Sequence, residues 1–243
     1  MQAFADQIAV VTGASSGIGK AIALGLAVQG ATLCLIGRRR AALEAVAKCA
    51  RAATPRVLHY PTDLTLNKDI QGLTACLQRD CGHIDLLIHC AGAISLGQVE
   101  TAPVADFDLQ YRTNVRAPYV LTQALLPMLR ARRGQIVFMN SQAGLSARAN
   151  MGQYAATKYA LKALADSLRE EVNAAEVRVL SVFPGSTASP MQAAVHAMNG
   201  QEYHPERLMQ PEDTAAVVIQ ALSLPRSTEV TDIILRPLRK PGV

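Results

Sequence analysis

Short, wholly apolar, β-branched runs alternate along the chain with longer stretches whose apolar residues recur at helical spacing. The run IAVVT at 8–12 shows no polar alternation, which is the pattern of a strand buried on both faces. A helix is predicted over 17–29, with Gly30 closing it as glycine commonly does. The same signature predicts strands at 32–36, 56–60, 84–90, 134–140, 177–183 and near 229–235. Helices are expected over 41–53, 67–79, 106–130 and 151–173, and one is opened by Pro211 and Glu212. Between the sixth strand and that last helix the pattern is irregular. Strands alternating with helices imply an α/β fold with a parallel sheet of about seven strands, covered by helices on both faces. No linker or shift of composition divides residues 1–243, so one domain is expected.

Composition narrows the function classes. Half the residues are hydrophobic and 18% are charged, ordinary for a globular chain with material for a core. The longest apolar stretch, AIALGLAVQGATLCLIG, is broken by Gln29, Gly30 and Thr32, so it reads as helix, turn and strand. No membrane association is expected. The five cysteines are odd in number and scattered, with no Cys-x-x-Cys spacing. That argues against a disulfide framework or a metal site, and for a reducing, cytoplasmic setting. The formal charge of +5 raises the question of nucleic acid, but the basic residues are dispersed and aromatics are only 4%. Stacking platforms and nucleic-acid motifs are absent, so none is expected to bind.

In parallel α/β sheets, ligands gather beyond the carboxyl ends of the strands. The residues with chemical potential follow the strands here. After the first strand comes TGASSGIG, which places Gly13, Ser15, Ser16, Gly17, Ile18 and Gly19 at a strand-to-helix turn. Glycines allow a tight turn and close approach of a phosphate, and the helix N-terminus favours its charge. After the second strand stands Gly37, followed by Arg38 and Arg39, where an acidic residue would suit an unphosphorylated ribose and arginine suits a 2′-phosphate. NADP(H) is the expected cofactor. The third strand ends in TDL, whose Asp63, beside Leu64, can receive an adenine amino group or cap a helix. The fourth ends in Cys90, Ala91 and Gly92, small residues that admit a ribose; nothing electropositive near Cys90 suggests a reactive thiol. Pro184 and Gly185 end the sixth and can wall in a nicotinamide.

Of the six tyrosines only Tyr154 has a lysine four residues on, Lys158, which stands on the same helical face. Ser141 closes the fifth strand thirteen residues earlier, close enough to share one cleft. Asn114 lies within a predicted helix, where an amide most often caps, kinks or bonds to the main chain.

Taken in order, TGASSGIG, TDL, CAG, TNV, Ser141, YAATK and FPG resemble the short-chain dehydrogenase/reductase superfamily, over essentially the whole chain. The resemblance implies a Rossmann-type, doubly wound sheet and an enzyme interconverting a carbonyl and an alcohol. It implies that Asn114, Ser141, Tyr154 and Lys158 form a catalytic tetrad, and that Lys158 also holds the nicotinamide ribose. It places Thr187 and Ser189 against the nicotinamide carboxamide, and it implies a homodimer or homotetramer built on the 106–130 and 151–173 helices. Two departures stand out. His89-Cys90 replaces an asparagine pair that many members carry, which puts a strand-end hydrogen bond in doubt. The chain also ends in TDIILRPLRKP, a Pro-containing tail.

The chemistry explains the residue types. Hydride addition to a carbonyl carbon builds negative charge on oxygen, which must then receive a proton. Free tyrosine has a pKa of about 10, too high for reversible proton transfer near neutrality. The Lys158 ammonium, together with an oxidised nicotinamide, is expected to pull it down. Ser141 supplies a hydrogen bond to the reacting oxygen, and Asn114 holds a relay water. The rival from another class is a non-catalytic dinucleotide-binding, redox-sensing protein on the same fold, and an isomerase using transient hydride transfer is a third. The segment 186–210 is expected to fold over the substrate, with Met191, Val195, Met198 and Tyr203 as an apolar lid and His196 and His204 at the surface. Gln142 and Arg148 are placed to read a polar substrate group or to form a solvated loop.

Overall fold

The computed structural model describes residues 2–238. Seven strands build one parallel sheet: β1 (Ile8–Thr12), β2 (Thr32–Gly37), β3 (Val57–Pro61), β4 (Leu86–His89), β5 (Gln135–Met139), β6 (Arg178–Pro184) and β7 (Asp232–Leu235). Their order is β3-β2-β1-β4-β5-β6-β7. The chain therefore reverses its winding between β1 and β4, and a crevice opens there at the carboxyl ends. Register follows from the apolar runs, with Val10 opposite both Cys34 and Leu87.

Alternation along each strand divides the core in two. Leu33 and Leu35 of β2 pack with α1 (Gly17–Val28), α2 (Arg40–Ala50) and α8 (Pro211–Leu222). Cys34 and Ile36 point to the other face, among α3 (Asn67–Cys81), α5 (Ala117–Arg130) and α6 (Gly152–Val172). Each fully buried leucine or isoleucine contributes about 1.5–3 kcal/mol, so these faces supply the main drive to fold. With helices on both sides, no strand between the two edges needs a polar face.

Two expectations required correction. The single helix over 106–130 is two, α4 (Val104–Tyr111) and α5, joined by a π-helical turn at Arg112–Arg116. The extra residue in that turn accompanies the Asn114 side chain, which is buried and tied to the main chain of a neighbouring loop. The stretch after β6 is not wholly irregular, because it contains α7 (Pro190–Met198). Ser189 caps α7 by accepting from the Gln192 N–H at 3.1 Å, and Pro190 pre-sets its first turn. The end of the Pro-containing tail, 239–243, lies outside the described residues. No helix among the described residues is long and apolar enough to cross a membrane.

Candidate active site

A cleft of about 940 Å³ runs across the carboxyl ends of the strands, large enough for a dinucleotide and a small substrate. At one end, the Thr12 hydroxyl ties the tips of β1 and β4 together. It accepts from the N–H groups of Cys90 and Ala91 at 3.0 and 3.1 Å and donates to the Ile88 carbonyl at 3.4 Å. That contact brings the Cys90–Ala91 main chain against Gly13, which has φ +65°; a Cβ there would lie 2.7 Å from the Ala91 nitrogen. Gly19 packs as closely, since its Cβ would lie 2.5 Å from the Gly13 carbonyl oxygen. Helix α1 thus starts at the floor of the cleft. Ser16, its N-cap, makes no side-chain cap, and the first turn carries no acidic residue. Its free N–H groups and dipole are left to an anion.

Further along the same end, Arg38 and Arg39 are exposed, border the cleft and form no ion pair among the described residues. Ser15 lies beside Gly37, its Oγ 3.6 Å from where a Cβ would stand. Asp63 uses Oδ1 to accept from the N–H and hydroxyl of Thr65, at 2.9 and 2.7 Å. Burial pushes its carboxyl up, but those two bonds and the Arg38 charge outweigh it, and the net shift is downward.

The other end is drier. Tyr154 and Lys158 stand one turn apart on α6, 8% and 4% exposed. The Lys158 Nζ lies 5.7 Å from the Tyr154 ring centroid and donates to the Met139 carbonyl at 3.0 Å. Ser141 caps a short turn by accepting from the Ala143 N–H at 3.1 Å, so its own proton is free to point into the cleft. Burial lowers Lys158 to about 8, partly opposed by the Cys90 thiol. Burial also raises Tyr154, and the Ser141 hydroxyl offsets part of that rise. The Lys158 ammonium is not among the groups that shift Tyr154, so the expected downward pull does not come from the protein alone. Desolvation dominates, and the ammonium is turned toward Met139. Cys90 is pushed up to about 12 by burial, so its thiol stays protonated.

Every residue expected to hold the cofactor or move the proton borders this cleft except Asn114. Its carboxamide makes three hydrogen bonds: Oδ1 accepts from Ala93 N at 2.8 Å, and Nδ2 donates to Ala93 O at 2.8 Å and to Thr157 Oγ1 at 3.0 Å. Thr157 in turn donates to the Tyr154 carbonyl at 2.8 Å. Asn114 thus links the loop after β4 to the Tyr154 turn of α6 from behind the cleft. Thr12 and Thr157 lie inside the TGASSGIG and YAATK motifs, but their tying roles depend on partners distant in the chain, which the motifs do not encode. His89 settles the strand-end question. It is buried, stacked on Phe138 with centroids 5.0 Å apart, and shares a 2.8 Å hydrogen bond with Thr122. Burial lowers its pKa to about 3, so it is neutral.

Above the cleft, Met191 and Val195 on α7 face inward as expected. Met198 does not border the cleft and is 54% exposed, because α7 turns it to solvent. Tyr203 also lies off the cleft, and its hydroxyl accepts from the Ser189 N–H at 3.0 Å. His196, expected at the surface, borders the cleft and packs edge-on against Tyr203. His204 does stand at the surface, between Glu202 and Glu206. Arg148 borders the cleft; the Gln142 amide is committed to the Leu235 carbonyl at 2.7 Å and so anchors β7.

A family model described as short chain dehydrogenase matches residues 7–200. The chain belongs to the short-chain dehydrogenase family. An uncharacterized oxidoreductase of Staphylococcus aureus is 32% identical over 239 residues, 98% of this chain and all of that one. Glycine betaine reductase of Emericella nidulans is 30% identical over 240 residues, which are 97% of this chain and only 19% of that longer protein. Among solved structures, a short-chain dehydrogenase of Shigella flexneri complexed with NADP is 30% identical with a TM-score of 0.88, covering 96% of this chain and 98% of the other. Like other family members, the chain is an oxidoreductase on a Rossmann-type sheet, and its glycine turn fits a nicotinamide dinucleotide. The fit is local as well as global. The uncapped start of α1 offers donors at the cleft, and Asn140, whose buried Nδ2 is unpartnered among the described residues, lines it.

Proposed function

We propose that this short-chain dehydrogenase interconverts a ketone or aldehyde and an alcohol, with NADP(H) as cofactor and Tyr154 as general acid and base. One observation carries this reading: a single cleft joins a buried Tyr154–Lys158 pair and Ser141 to a glycine turn flanked by unpaired Arg38. Gly13 to Gly19 and the N-terminus of α1 would hold the pyrophosphate, and Arg38, Arg39 and Ser15 the 2′-phosphate. Asp63 and Leu64 would border the adenine, and Cys90 to Gly92 its ribose. Pro184, Gly185, Thr187 and Ser189 would form the nicotinamide wall.

A nicotinamide held by these residues would supply the hydride chemistry, giving to a carbonyl carbon or accepting from an alcohol. Ser141 donates its free proton in a hydrogen bond to the substrate oxygen and holds it beside the Tyr154 hydroxyl. Tyr154 gives its proton to that oxygen during reduction and removes it during oxidation. The Lys158 charge stabilises the phenolate left behind. Asn114 holds the Tyr154 turn in register through Thr157, a positioning role supported by its place off the cleft lining and by its bonds to Ala93 and Thr157. The substrate end is walled by Ile94, Leu109, Met191 and Val195, with Arg148 and Arg236 as charged groups at the cleft, so a small, mainly apolar carbonyl compound fits. Phe107, Tyr111, Tyr119 and Tyr159 on α4 to α6 are part-exposed, which supports a homodimer or homotetramer on that face; light scattering coupled to gel filtration checks it.

The test is a panel of ketones, aldehydes and secondary alcohols with each cofactor. Substrate-dependent NADPH oxidation that disappears in Tyr154→Phe is expected. Tight NADPH binding with no turnover on any compound would favour the redox-sensing alternative.

A further inference from the structure

Two of the five cysteines, distant in sequence, meet on the face of the sheet remote from α1. Cys34 sits in the middle of β2 and points toward α3, whose last residue is Cys81. Their sulfurs are 3.5 Å apart. No other sulfur pair among the described residues is in hydrogen-bond contact. Cys34 is buried and Cys81 is partly open to solvent. Around Cys81 the chain is held in place: the Arg56 guanidinium donates to the Asp80 carbonyl, and the Tyr60 hydroxyl donates to Asp80 Oδ2 at 2.9 Å. The site therefore combines a reachable sulfur, a shielded sulfur behind it, and a fixed cation beside both.

We infer that Cys34 and Cys81 are a dithiol–disulfide pair that responds to peroxide, Cys81 attacking first and Cys34 resolving. The hydrogen bond shared with Cys34 and the Arg56 charge hold the Cys81 thiol below its ordinary value, against burial and the Asp80 carboxylate. The same hydrogen bond, with burial, pushes Cys34 up, so Cys34 keeps its proton. A reachable sulfur with an eased proton loss, 3.5 Å from a shielded thiol that can resolve it, is the arrangement that such chemistry needs. The Cys81 thiolate attacks one peroxide oxygen, the O–O bond breaks, and the departing hydroxide takes a proton to become water. Cys81 is then a sulfenic acid. The Cys34 sulfur attacks the Cys81 sulfur, its proton leaves with the hydroxyl as a second water, and the S–S bond forms. Two thiols are oxidised by two electrons and one peroxide is reduced to two waters. To reach a bond length near 2.05 Å the sulfurs must close by about 1.5 Å, within the reach of side-chain rotation.

The consequence is local to one end of the cleft. The loop closed by such a bond, 34–81, contains Gly37, Arg38, Arg39, Asp63 and Leu64, whereas Ser141, Tyr154 and Lys158 lie outside it. Oxidation would tie together the strand and helix that frame the adenine end and leave the proton-transfer groups alone. The scattered spacing that speaks against a structural disulfide framework is compatible with this, because the fold and not the sequence interval brings the pair together.

The experiment treats the reduced full chain with hydrogen peroxide and reads intact mass, disulfide peptides and thermal midpoint. The expected result is a loss of two hydrogens, a Cys34–Cys81 peptide, and a midpoint raised on the order of 5–10 °C, all reversed by a dithiol reductant. Cys81→Ser should abolish the bond and the shift, and Cys34→Ser should leave Cys81 to oxidise past sulfenic acid. Should Cys34→Ser fold poorly, Cys81→Ser, at a partly exposed position, carries the test alone. Oxidation of Cys49 or Cys76 with Cys34 still free, or a bond between any other pair, would overturn the inference.

Discussion

The two ends of the cleft are built on opposite electrostatic terms. At the substrate end, Tyr154 and Lys158 are buried, and loss of water sets their proton affinities, raising one and lowering the other to about 8. At the adenine end, Arg38 and Arg39 are exposed, and Asp63 is held down by hydrogen bonds and a neighbouring charge against burial. Desolvation makes a proton-holding site: it keeps Tyr154 protonated, ready to act as an acid, and brings Lys158 near enough to neutrality for a small perturbation to change its charge. Exposed charge makes a recognition site, because its worth depends on the partner and is screened by salt. In the proposed enzyme one end therefore governs kcat and the other KM.

The largest break in that contrast comes from Tyr154→Phe. The ring and its packing survive and only the proton donor goes, so turnover should fall by at least about 10²–10⁴-fold while NADPH affinity changes little. Retention of more than about a tenth of the parent rate with a good substrate would remove Tyr154 from the proposed role.

At the adenine end, Gly37→Asp with Arg38→Leu should reverse cofactor preference. A charged hydrogen bond contributes about 1.5–3 kcal/mol, or roughly tenfold to 150-fold in affinity, and a carboxylate there would repel the 2′-phosphate. Steady-state KM values for NADPH and NADH in parent and variant measure it. An unchanged ratio would separate Arg38 from the phosphate.

Lys158→Met crosses the two ends. Turnover should drop and cofactor binding should weaken through loss of the ribose contact, as titration would show. Stability should move the other way. The folded pKa of about 8 lies below the ordinary 10.5, so the unfolded chain binds the extra proton between those values and stability rises with pH across that window. Near neutrality the buried ammonium costs on the order of 3 kcal/mol, offset by about 1 kcal/mol from its bond to the Met139 carbonyl. The variant should therefore melt a few degrees higher at pH 7, and the gap should narrow as pH rises from about 8 to 10.5. A lower melting point at pH 7 would show that the desolvation cost is small.

The smallest effect is that of salt. Raising ionic strength should erode the NADPH preference severalfold through KM and leave kcat nearly alone, because only the adenine end is exposed. An equal loss in kcat would blur the contrast.

What was legible in the sequence divides along a related line. The strands, six of the helices and the cleft-lining turns follow from local rules: buried apolar runs, glycine turns, and a tyrosine and lysine four apart. What escaped depends on partners distant in the chain. The break at Arg112–Arg116 accompanies the bonding of Asn114 to Ala93 and Thr157, and helical periodicity carries no trace of such bonds. His89 finds Thr122 thirty-three residues away, and Cys34 finds Cys81 forty-seven residues away. The upward shift of Tyr154 comes from burial, which a motif does not encode. Helix α7 had a signal that could have been used, Ser189-Pro190 followed by Met191, Val195 and Met198 at helical spacing.

The most direct measurement is the steady-state kinetics of the parent chain with NADPH and NADH at equal concentrations of a carbonyl substrate. At least a tenfold preference for NADPH in kcat/KM is expected, with kcat for the two cofactors equal within about twofold, since the adenosine end is remote from the transferred hydride. Equal efficiency with both cofactors, a preference for NADH, or a preference expressed in kcat would contradict the division of the cleft into a charge-reading end and a proton-moving end.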